Sequence, residues 1–284
     1  MGKFGAALVF AVLFPYIVTL AWTGTVEGTG VRTEAGGDRR ILLDEGNVKA
    51  YMSMEEFLPG ALAAQIPADF GEEALKAQAI IARTYICGRM GEEEEISQSE
   101  LDMDYLDGKE LAALWGEQAA ENYRRLREAA EETRGQVITY EGELIEPLFH
   151  RASAGRTREG GDGYPYLTAA DCPGDLEADG SLQAVTMTKE ELAEKIRTIP
   201  GAGYVKEIQI GTGSCTGEEV QRALGLASPC FSVEEYGDGL RVVTRGIGHG
   251  YGLSQYTASL LSGEGRTAEE ILQFFYKNIV LISV

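Results

Sequence analysis

The stretch that decides the fold of this 284-residue chain is R245-G-I-G-H-G-Y-G-L-S-Q-Y256, in which glycine occupies every second position from Gly246 to Gly252. Read as an extended strand, this alternation places the four glycines on one face and His249 on the other. Bare backbone on one face allows a ligand or a second strand to approach closely, at a cost in backbone entropy. The pattern therefore predicts a site, with a glycine-rich barrel corner or bulge as the alternative.

The chain has two histidines, and the second one, His150, lies in a comparable setting. It belongs to the segment F149-H-R-A-S-A-G-R-T157, which follows two short strands predicted over 135–145 about a Glu-Gly turn. The segment runs into a glycine-rich loop at 160–163. Because sites are usually carried on loops at strand ends, His150 is a second candidate.

Residues from Glu72 to about Met90 predict a buried helix, since apolar side chains wrap most of its circumference. Lys76 and Arg83 are seven residues apart and share one face of that helix. Charges on a buried helix need partners or a cavity. Structural ion pairs are one interpretation, and the lining of a cleft that begins near Gln65 is the other.

The remaining pattern favours an α+β fold, with mixed sheets and helices forming a cleft, because hairpin strands alternate with unpaired helices. No repeat, dinucleotide-binding motif or Walker-type phosphate motif is present in the sequence. We predict helices over 109–133, 189–197, 217–224, 253–261 and 268–277, and strands over 204–210, 231–236, 240–244 and 280–284.

The amino-terminal segment carries no charge from Phe4 to Thr25, and residues 4–22 are long enough to cross a bilayer as one helix. We expect an uncleaved single-pass anchor in the cell membrane with its cytoplasmic tip within 1–25, followed by a linker over 26–44 and an extracytoplasmic domain over 45–284. A cleaved signal peptide is the alternative.

The net charge of the chain disfavours some partners. The chain has 45 acidic and 25 basic residues, a formal net charge of -20, which disfavours nucleic acid and anionic lipid but suits a neutral polymer.

The four cysteines form no Cys-x-x-Cys pair. We predict buried free thiols, with a Cys215–Cys230 disulfide as the alternative. A zinc site built from His150, Cys172 and other residues is disfavoured, and we predict no metal and no cofactor.

Three segments carry a family resemblance: E73-A-L-K-A-Q-A-I-I-A-R-T-Y85, the His150 segment and the glycine-alternating segment. In this order they resemble the signature blocks of the stage II sporulation protein D family, from about residue 45 to the C-terminus. The resemblance implies a membrane-anchored lytic transglycosylase of sporulation that cuts peptidoglycan strands stripped of stem peptides during engulfment. It also implies an amidase and other engulfment membrane proteins as partners. Some relatives bind metal near the histidine, but the cysteines expected after it are Arg156 and Asp162 here.

One position departs from the family. Members have a catalytic glutamate in a stretch resembling Ser-Glu-Met-Pro, where this chain reads Ala64-Gln65-Ile66-Pro67. A lytic transglycosylase needs a group that protonates the glycosidic oxygen and then takes a proton from the sugar's 6-hydroxyl. An amide keeps hydrogen-bonding capacity but has no proton to transfer near neutral pH. Gln65 is thus compatible with binding glycan, and two hypotheses remain: an enzyme with a surrogate acid, or a glycan-binding scaffold that recruits wall hydrolases.

The resemblance also implies roles for individual residues. Gln65 occupies the catalytic position, and His249 or Asp69 is a candidate substitute acid, a helix cap being the alternative for Asp69. The residues expected to bind the glycan through polar groups or aromatic faces are Lys76, Arg83, Tyr85, His150, Ser153, Ser254, Gln255 and Tyr256. Each tyrosine also fits a core position.

Overall fold

The computed structural model describes residues 39–45, 48–188, 203–210 and 213–284. The predicted anchor at 4–22 and the helix predicted over 189–197 lie outside these residues. None of the helices in the described part is long and apolar enough to cross a membrane. The first strand begins at Arg40, so it takes up the last residues of the segment predicted as a linker.

The domain opens with two antiparallel strands, β1 (Arg40–Glu45) and β2 (Val48–Ser53), and helix α1 (Met54–Gln65) follows directly. Ser53 and Glu56 form a capping box that satisfies backbone N–H groups at the start of α1. Helix α2 (Glu72–Met90) has the predicted bounds and is largely buried. Strand β3 (Glu95–Ser97) then returns to pair in parallel with β1.

Three helices follow, α3 (Gln98–Leu101), α4 (Gly108–Trp115) and α5 (Ala119–Glu132), and α5 packs on both α1 and α2. The prediction of a single helix over 109–133 is therefore wrong, because the helix is interrupted between α4 and α5. Gly116 ends α4 with a φ of 54° and starts a 3-10 turn. A positive φ is accessible to glycine at little cost, so this residue redirects the chain.

The centre of the chain forms the hairpin β4 (Gln136–Tyr140) and β5 (Glu143–Leu144), as predicted. Its two turn residues, Glu141 and Gly142, both have positive φ, which matches the right-handed twist of the strands. The short strand β6 (Phe149–His150) follows.

The next part of the chain includes a three-stranded antiparallel sheet, in which β11 (Gly239–Arg245) lies between β10 (Phe231–Tyr236) and β7 (Leu182–Thr188). Val205, Val220, Phe231 and Val242 are buried in a small core of its own. Within the segment predicted as a strand over 204–210, only the last three residues form one, whereas Tyr204 makes a single bridge to Cys230. The elements of this region are β7 (Leu182–Thr188), β8 (Ile208–Ile210), β9 (Gly213–Cys215), α6 (Gly217–Leu224), β10 (Phe231–Tyr236) and β11 (Gly239–Arg245).

The C-terminal elements close the molecule. They are β12 (Leu253–Ser254), α7 (Gln255–Gly263), α8 (Ala268–Phe275) and β13 (Ile279–Ser283). Strand β13 pairs with β4, and α7 and α8 pack on α2. The fold is α+β, with several small sheets around a central helix, and each of the four cysteines is a free thiol.

Candidate functional site

A two-stranded parallel bridge joins the two histidine segments. β6 pairs with β12 so that Phe149 lies opposite Leu253 and His150 opposite Ser254. These residues are about 100 positions apart in the sequence. The bridge therefore brings both signature segments to one place in the fold.

The glycine-alternating segment is not an extended strand, so the expectation of four glycines on one face is wrong. Gly246, Gly248, Gly250 and Gly252 have φ values of 80°, 98°, 83° and 70°. Each glycine turns the chain through a region that other L-residues rarely adopt. The alternation in sequence thus encodes an irregular loop in which every second residue has a positive φ.

The expected close approach does occur, but to the protein's own chain. A Cβ atom at position 252 would lie 1.8 Å from the carbonyl oxygen of Leu148, and one at position 248 would lie 2.9 Å from the Cβ of His150. A Cβ at position 250 would lie 2.3 Å from the ring of Tyr204. The glycines therefore seat this loop against the His150 segment and Tyr204.

The two histidine rings lie beside each other, with centroids 5.8 Å apart. His150 is 4 % exposed, and its Nδ1 lies 3.0 Å from the carbonyl oxygen of Tyr251, so Nδ1 carries the proton and donates. Its Nε2 is buried and unpartnered within the described residues. Burial, with a smaller contribution from His249, lowers the pKa of His150 to about 3.

His249 accepts a hydrogen bond at Nδ1 from the backbone N–H of Tyr251, at 3.0 Å. Burial and then the charge of Arg158 lower its pKa below the usual value. A histidine that is neutral near pH 7 is a weak proton donor. The surroundings of His249 therefore disfavour it as the substitute acid.

Three glutamines meet at the end of α1. Gln78 Nε2 donates to Gln65 Oε1 at 2.9 Å, and Gln255 Nε2 donates to the backbone oxygen of Gln65 at 2.9 Å. Gln255 Nε2 also lies 3.3 Å from Gln78 Oε1. Gln78 and Gln255 are buried whereas Gln65 is partly exposed, so two fixed amides orient a third that can reach solvent. Sequence reasoning missed Gln78, although an uncharged polar residue inside a mostly apolar helix was a signal for it.

Gln65 lies in a cleft of about 300 Å³ that Tyr85, Phe149, Asp102 and Asp104 also line. Tyr85 donates its hydroxyl proton to the carbonyl oxygen of Leu101 at 2.8 Å, which fixes its ring at the cleft. Both aspartates are exposed. Sequence reasoning missed them, because they come from the connection between α3 and α4 and no motif surrounds them.

Arg83 does not line this cleft. It is fully buried, and Nε and Nη2 contact the two carboxylate oxygens of Glu55, each at 2.8 Å. It also donates to the carbonyl oxygens of Ala130 and Gln136. The structural ion pair, which sequence analysis left as an alternative, is the arrangement observed.

Lys76 is likewise paired within the protein. Its Nζ lies 2.7 Å from carboxylate oxygens of both Glu132 and Glu73, and these hydrogen bonds raise its pKa. Lys76 is not among the residues lining the Gln65 cleft. Its contacts tie α2 to α5.

Ser153 and Ser254 converge on a carboxylate rather than on a cleft. The backbone N–H of Ser153 and the hydroxyl of Ser254 donate to the two oxygens of Asp175, at 2.6 and 2.9 Å. Thr257 donates to the same carboxylate at 2.6 Å. Asp175 and both serines are fully buried, so this cluster joins the His150 segment to the start of α7. Sequence reasoning missed Asp175.

Tyr256 and Asp69 lie near the start of α2. The ring of Tyr256 makes an edge contact with Phe70, with centroids 6.3 Å apart. Asp69 is exposed, and Gly71 rather than Asp69 caps α2. The first N–H groups of α2 donate to the hydroxyls of Ser259 and Ser262. The cap interpretation of Asp69 is therefore wrong.

No cluster of three or more histidine, cysteine or acidic side chains suited to a metal ion occurs in the ranges that the structure covers. The arrangement can instead offer the Gln65 amide, the Tyr85 side chain and two carboxylates to a polar ligand in the Gln65 cleft. These features define a mixed α+β domain whose cleft is built from α1, α2, the connection between α3 and α4, and the segment at β6.

Comparison with known proteins identifies the domain further. A family model described as "Stage II sporulation protein" matches residues 44–140. Stage II sporulation protein D of Bacillus subtilis strain 168 is 30 % identical over 250 residues, covering 79 % of this chain and 73 % of the relative. The protein of the same name from Bacillus amyloliquefaciens is 29 % identical over 252 residues, covering 80 % and 73 %. An uncharacterized protein of Brachyspira hyodysenteriae is 25 % identical over 267 residues, covering 86 % and 69 %. The chain belongs to the stage II sporulation protein D family of sporulation proteins.

Proposed function

We propose that this protein is a membrane-anchored, lytic transglycosylase-like member of its family that binds denuded peptidoglycan strands in the Gln65 cleft during engulfment or wall remodelling. The observation that carries the proposal is the Gln65 amide, which the buried amides of Gln78 and Gln255 hold in the cleft beside Tyr85. Amides supply directional donors and acceptors for sugar hydroxyl and acetamido groups. An amidase that removes stem peptides and other engulfment membrane proteins are the partners that this role requires.

Cleavage of the strand requires a proton donor in the same cleft. The donor protonates the glycosidic oxygen as the bond from that oxygen to the anomeric carbon breaks. The sugar's 6-hydroxyl then bonds to that carbon and returns a proton to the same group. Gln65 cannot supply this proton. Asp102 and Asp104 are carboxylates in the lining, which supports catalysis by one of them more than by His249 or Asp69.

A scaffold without catalysis is the second candidate. It is favoured by the position of Gln65, whose side-chain oxygen already accepts from Gln78. A strand bound there meets an amide where the family resemblance implies a carboxyl. Such a protein would hold denuded strands and recruit wall hydrolases.

The decisive variant is Gln65→Glu in the full chain, purified in detergent and assayed on denuded strands. A carboxyl has nearly the shape of the amide and also accepts from Gln78, so the variant should fold and bind as the parent does. We expect release of anhydro-sugar products to rise by at least about 10²-fold, the low end of what a positioned general acid contributes. Gln273→Glu, on the exposed side of α8, makes the same charge change away from the cleft and should leave the rate unchanged.

Other outcomes separate the candidates. Equal cleavage by parent and Gln65→Glu means that another acid already acts, and Asp102→Asn with Asp104→Asn should then abolish activity. Binding without cleavage by either protein favours the scaffold. Absence of binding by both contradicts the proposed substrate.

Anchoring is tested separately on native material. The charge-free run over 4–22 supports an uncleaved anchor. We expect mass spectrometry of the membrane fraction to find peptides that include this run. A mature protein that starts beyond residue 22 would contradict anchoring.

A further inference from the structure

A second and larger pocket lies beside the glycine-alternating loop. It has a volume of about 520 Å³, and four basic side chains line it: Arg156, Arg158, Lys206 and Arg245. Glu159 is the acidic residue in the lining. On a chain with a formal net charge of -20 this is a local reversal of sign. It lowers the electrostatic cost of bringing an anion to this surface.

Within the part of the chain that the structure describes, two of these cations form ion pairs and two do not. Arg158 pairs with Glu218 at 2.5 Å, and Arg156 pairs with Asp171 at 2.8 Å. Lys206 and Arg245 are exposed, and neither makes an ion pair with any residue that the structure describes. Within the described residues, the lining therefore includes two cations without an ion pair, alongside the Glu159 carboxylate.

The walls of the pocket are aromatic. The guanidinium of Arg158 lies over the rings of Tyr251 and Tyr204, at 4.1 and 5.1 Å from their centroids. The hydroxyl of Tyr204 accepts from the backbone N–H of Ala154 at 3.1 Å, so its own proton remains to be donated. Burial raises the pKa of that hydroxyl, which keeps it protonated near neutral pH.

The signature glycines build this pocket. Tyr251 belongs to the glycine-alternating loop, and the absence of a side chain at Gly250 makes room for the Tyr204 ring. The loop thus contributes the Tyr251 ring and makes room for the Tyr204 ring in a pocket that Lys206 and Arg245 also line. Tyrosine faces suit the apolar side of a sugar ring, whereas the cations suit a carboxylate.

We propose that this pocket is a carboxylate subsite that recognises the free lactyl carboxylate of an N-acetylmuramic acid unit, with Lys206 and Arg245 as the residues that contact it. The proposal rests on the proposed function and deepens it. When a stem peptide is attached, the lactyl carboxyl is an uncharged amide that carries a bulky chain. Removal of the peptide restores a negative charge at each muramic acid. A pocket of this chemistry would therefore favour denuded strands over strands with peptides.

The test compares denuded strands with the same strands after their carboxyls are converted to methylamides. The full chain in detergent should bind the unmodified strands at least about 10-fold more tightly at low ionic strength, and salt should reduce the difference. The double variant Lys206→Gln with Arg245→Gln should lose this preference. The double variant Arg127→Gln with Arg266→Gln removes two exposed cations outside the pocket lining and should keep it.

Equal binding of both strand types by the parent would overturn the proposal. It would also be overturned by an equal loss in the two double variants, since the effect would then be general charge. Saturation-transfer NMR with free N-acetylmuramic acid, and with N-acetylglucosamine as the neutral control, separates this proposal from the proposed function. Selective binding of the acidic sugar that depends on Lys206 and Arg245, without strand binding, keeps the subsite and refutes the proposed substrate. No binding of either sugar or strand refutes both.

Discussion

Arg83 and Lys76 lie seven residues apart on α2, and both have their charges compensated within the protein. Arg83 is buried, pairs with Glu55 and donates to backbone carbonyl oxygens. Lys76 bridges two glutamates at the surface of the α2–α5 contact. A buried guanidinium with a bidentate partner is costly to break, because its removal leaves an uncompensated carboxylate. Their roles are thus structural in this conformation.

Arg83→Met should lower the free energy of unfolding by about 3 kcal/mol, because it leaves the Glu55 carboxylate buried without its partner. Urea unfolding of the full chain in detergent measures this loss. Arg124→Met is the control, since Arg124 makes exposed pairs with Glu121 and Glu128 and its removal should change the transition little. A stable Arg83→Met protein that has lost glycan binding would instead assign Arg83 to the ligand.

His150 gives the protein a defined sensitivity to acid. Its pKa is about 3 in the folded state against an ordinary value of 6.5, so below pH 6.5 the unfolded chain binds a proton that the folded chain does not. The free energy of unfolding should therefore fall as pH drops from 6.5 to 5, by up to about 1.4 kcal/mol per pH unit for this histidine. His249 shifts in the same direction.

Urea unfolding at intervals between pH 7 and pH 5 measures this slope. This pH range lies above the ordinary pKa values of carboxyl groups, so histidines account for most of the change in stability within it. His150→Asn should flatten the slope whatever it does to stability at pH 7. A parent protein whose stability is constant across the window would contradict the burial of neutral His150.

At the scale of elements, the glycine-alternating loop has little room for substitution. Its four positive φ values and its contacts with Leu148, His150 and Tyr204 leave no room for side chains. The loop also connects β11 to β12, and so it sets where α7 begins. Gln255, at the start of α7, is thereby held against Gln65.

Gly252→Ala should destabilise the protein by about 3 kcal/mol, because the new Cβ meets the Leu148 carbonyl at 1.8 Å and the residue keeps a φ of 70°. Thermal unfolding checks this. Gly88→Ala is the matched control, since Gly88 is exposed within α2 and a Cβ there meets nothing within 4 Å. That change should stabilise the protein by roughly 0.5–1 kcal/mol, through helix propensity. Equal effects of the two changes would contradict the described loop.

At the scale of the whole molecule, an acidic chain carries a pocket with a mostly basic charged lining. The formal net charge of -20 creates repulsion within the folded protein, while the basic residues of the pocket favour an anion locally. Salt should therefore act in opposite directions on stability and on the binding of an acidic sugar. The effect on stability arises from the negative charges of the whole chain, whereas the effect on binding arises from the basic residues of the pocket.

Raising sodium chloride from about 10 mM to about 300 mM should raise the midpoint of thermal unfolding, because the Debye length shortens and self-repulsion weakens. Differential scanning calorimetry of the full chain at several salt concentrations measures the trend. Potassium chloride at the same ionic strength controls for effects specific to sodium. A midpoint that falls with added salt would show that attractive pairs, rather than net charge, dominate the electrostatics.

The sequence by itself determined the family, the α+β class and the bounds of elements whose signals are local. Helix α2 and the β4–β5 hairpin form where apolar periodicity and turn residues predict them, because these signals act over a few residues. Predictions from the same local signals were wrong at two places. Gly116 interrupts the helix predicted over 109–133, and the alternating glycines adopt positive φ in a loop rather than forming a strand.

Only the tertiary structure decided which polar residues line a pocket and which are paired inside the protein. Arg83 and Ser254 have the residue types of a glycan site, yet Glu55 and Asp175, from distant parts of the sequence, bind them internally. Gln78 enters the Gln65 site through contacts of α1, α2 and α7. Lys206 and Arg245 share a pocket because of long-range packing. Local patterns do not carry such information, since a side chain's partner is set by which segments meet, and burial then decides whether its charge or amide is satisfied internally or left for a ligand.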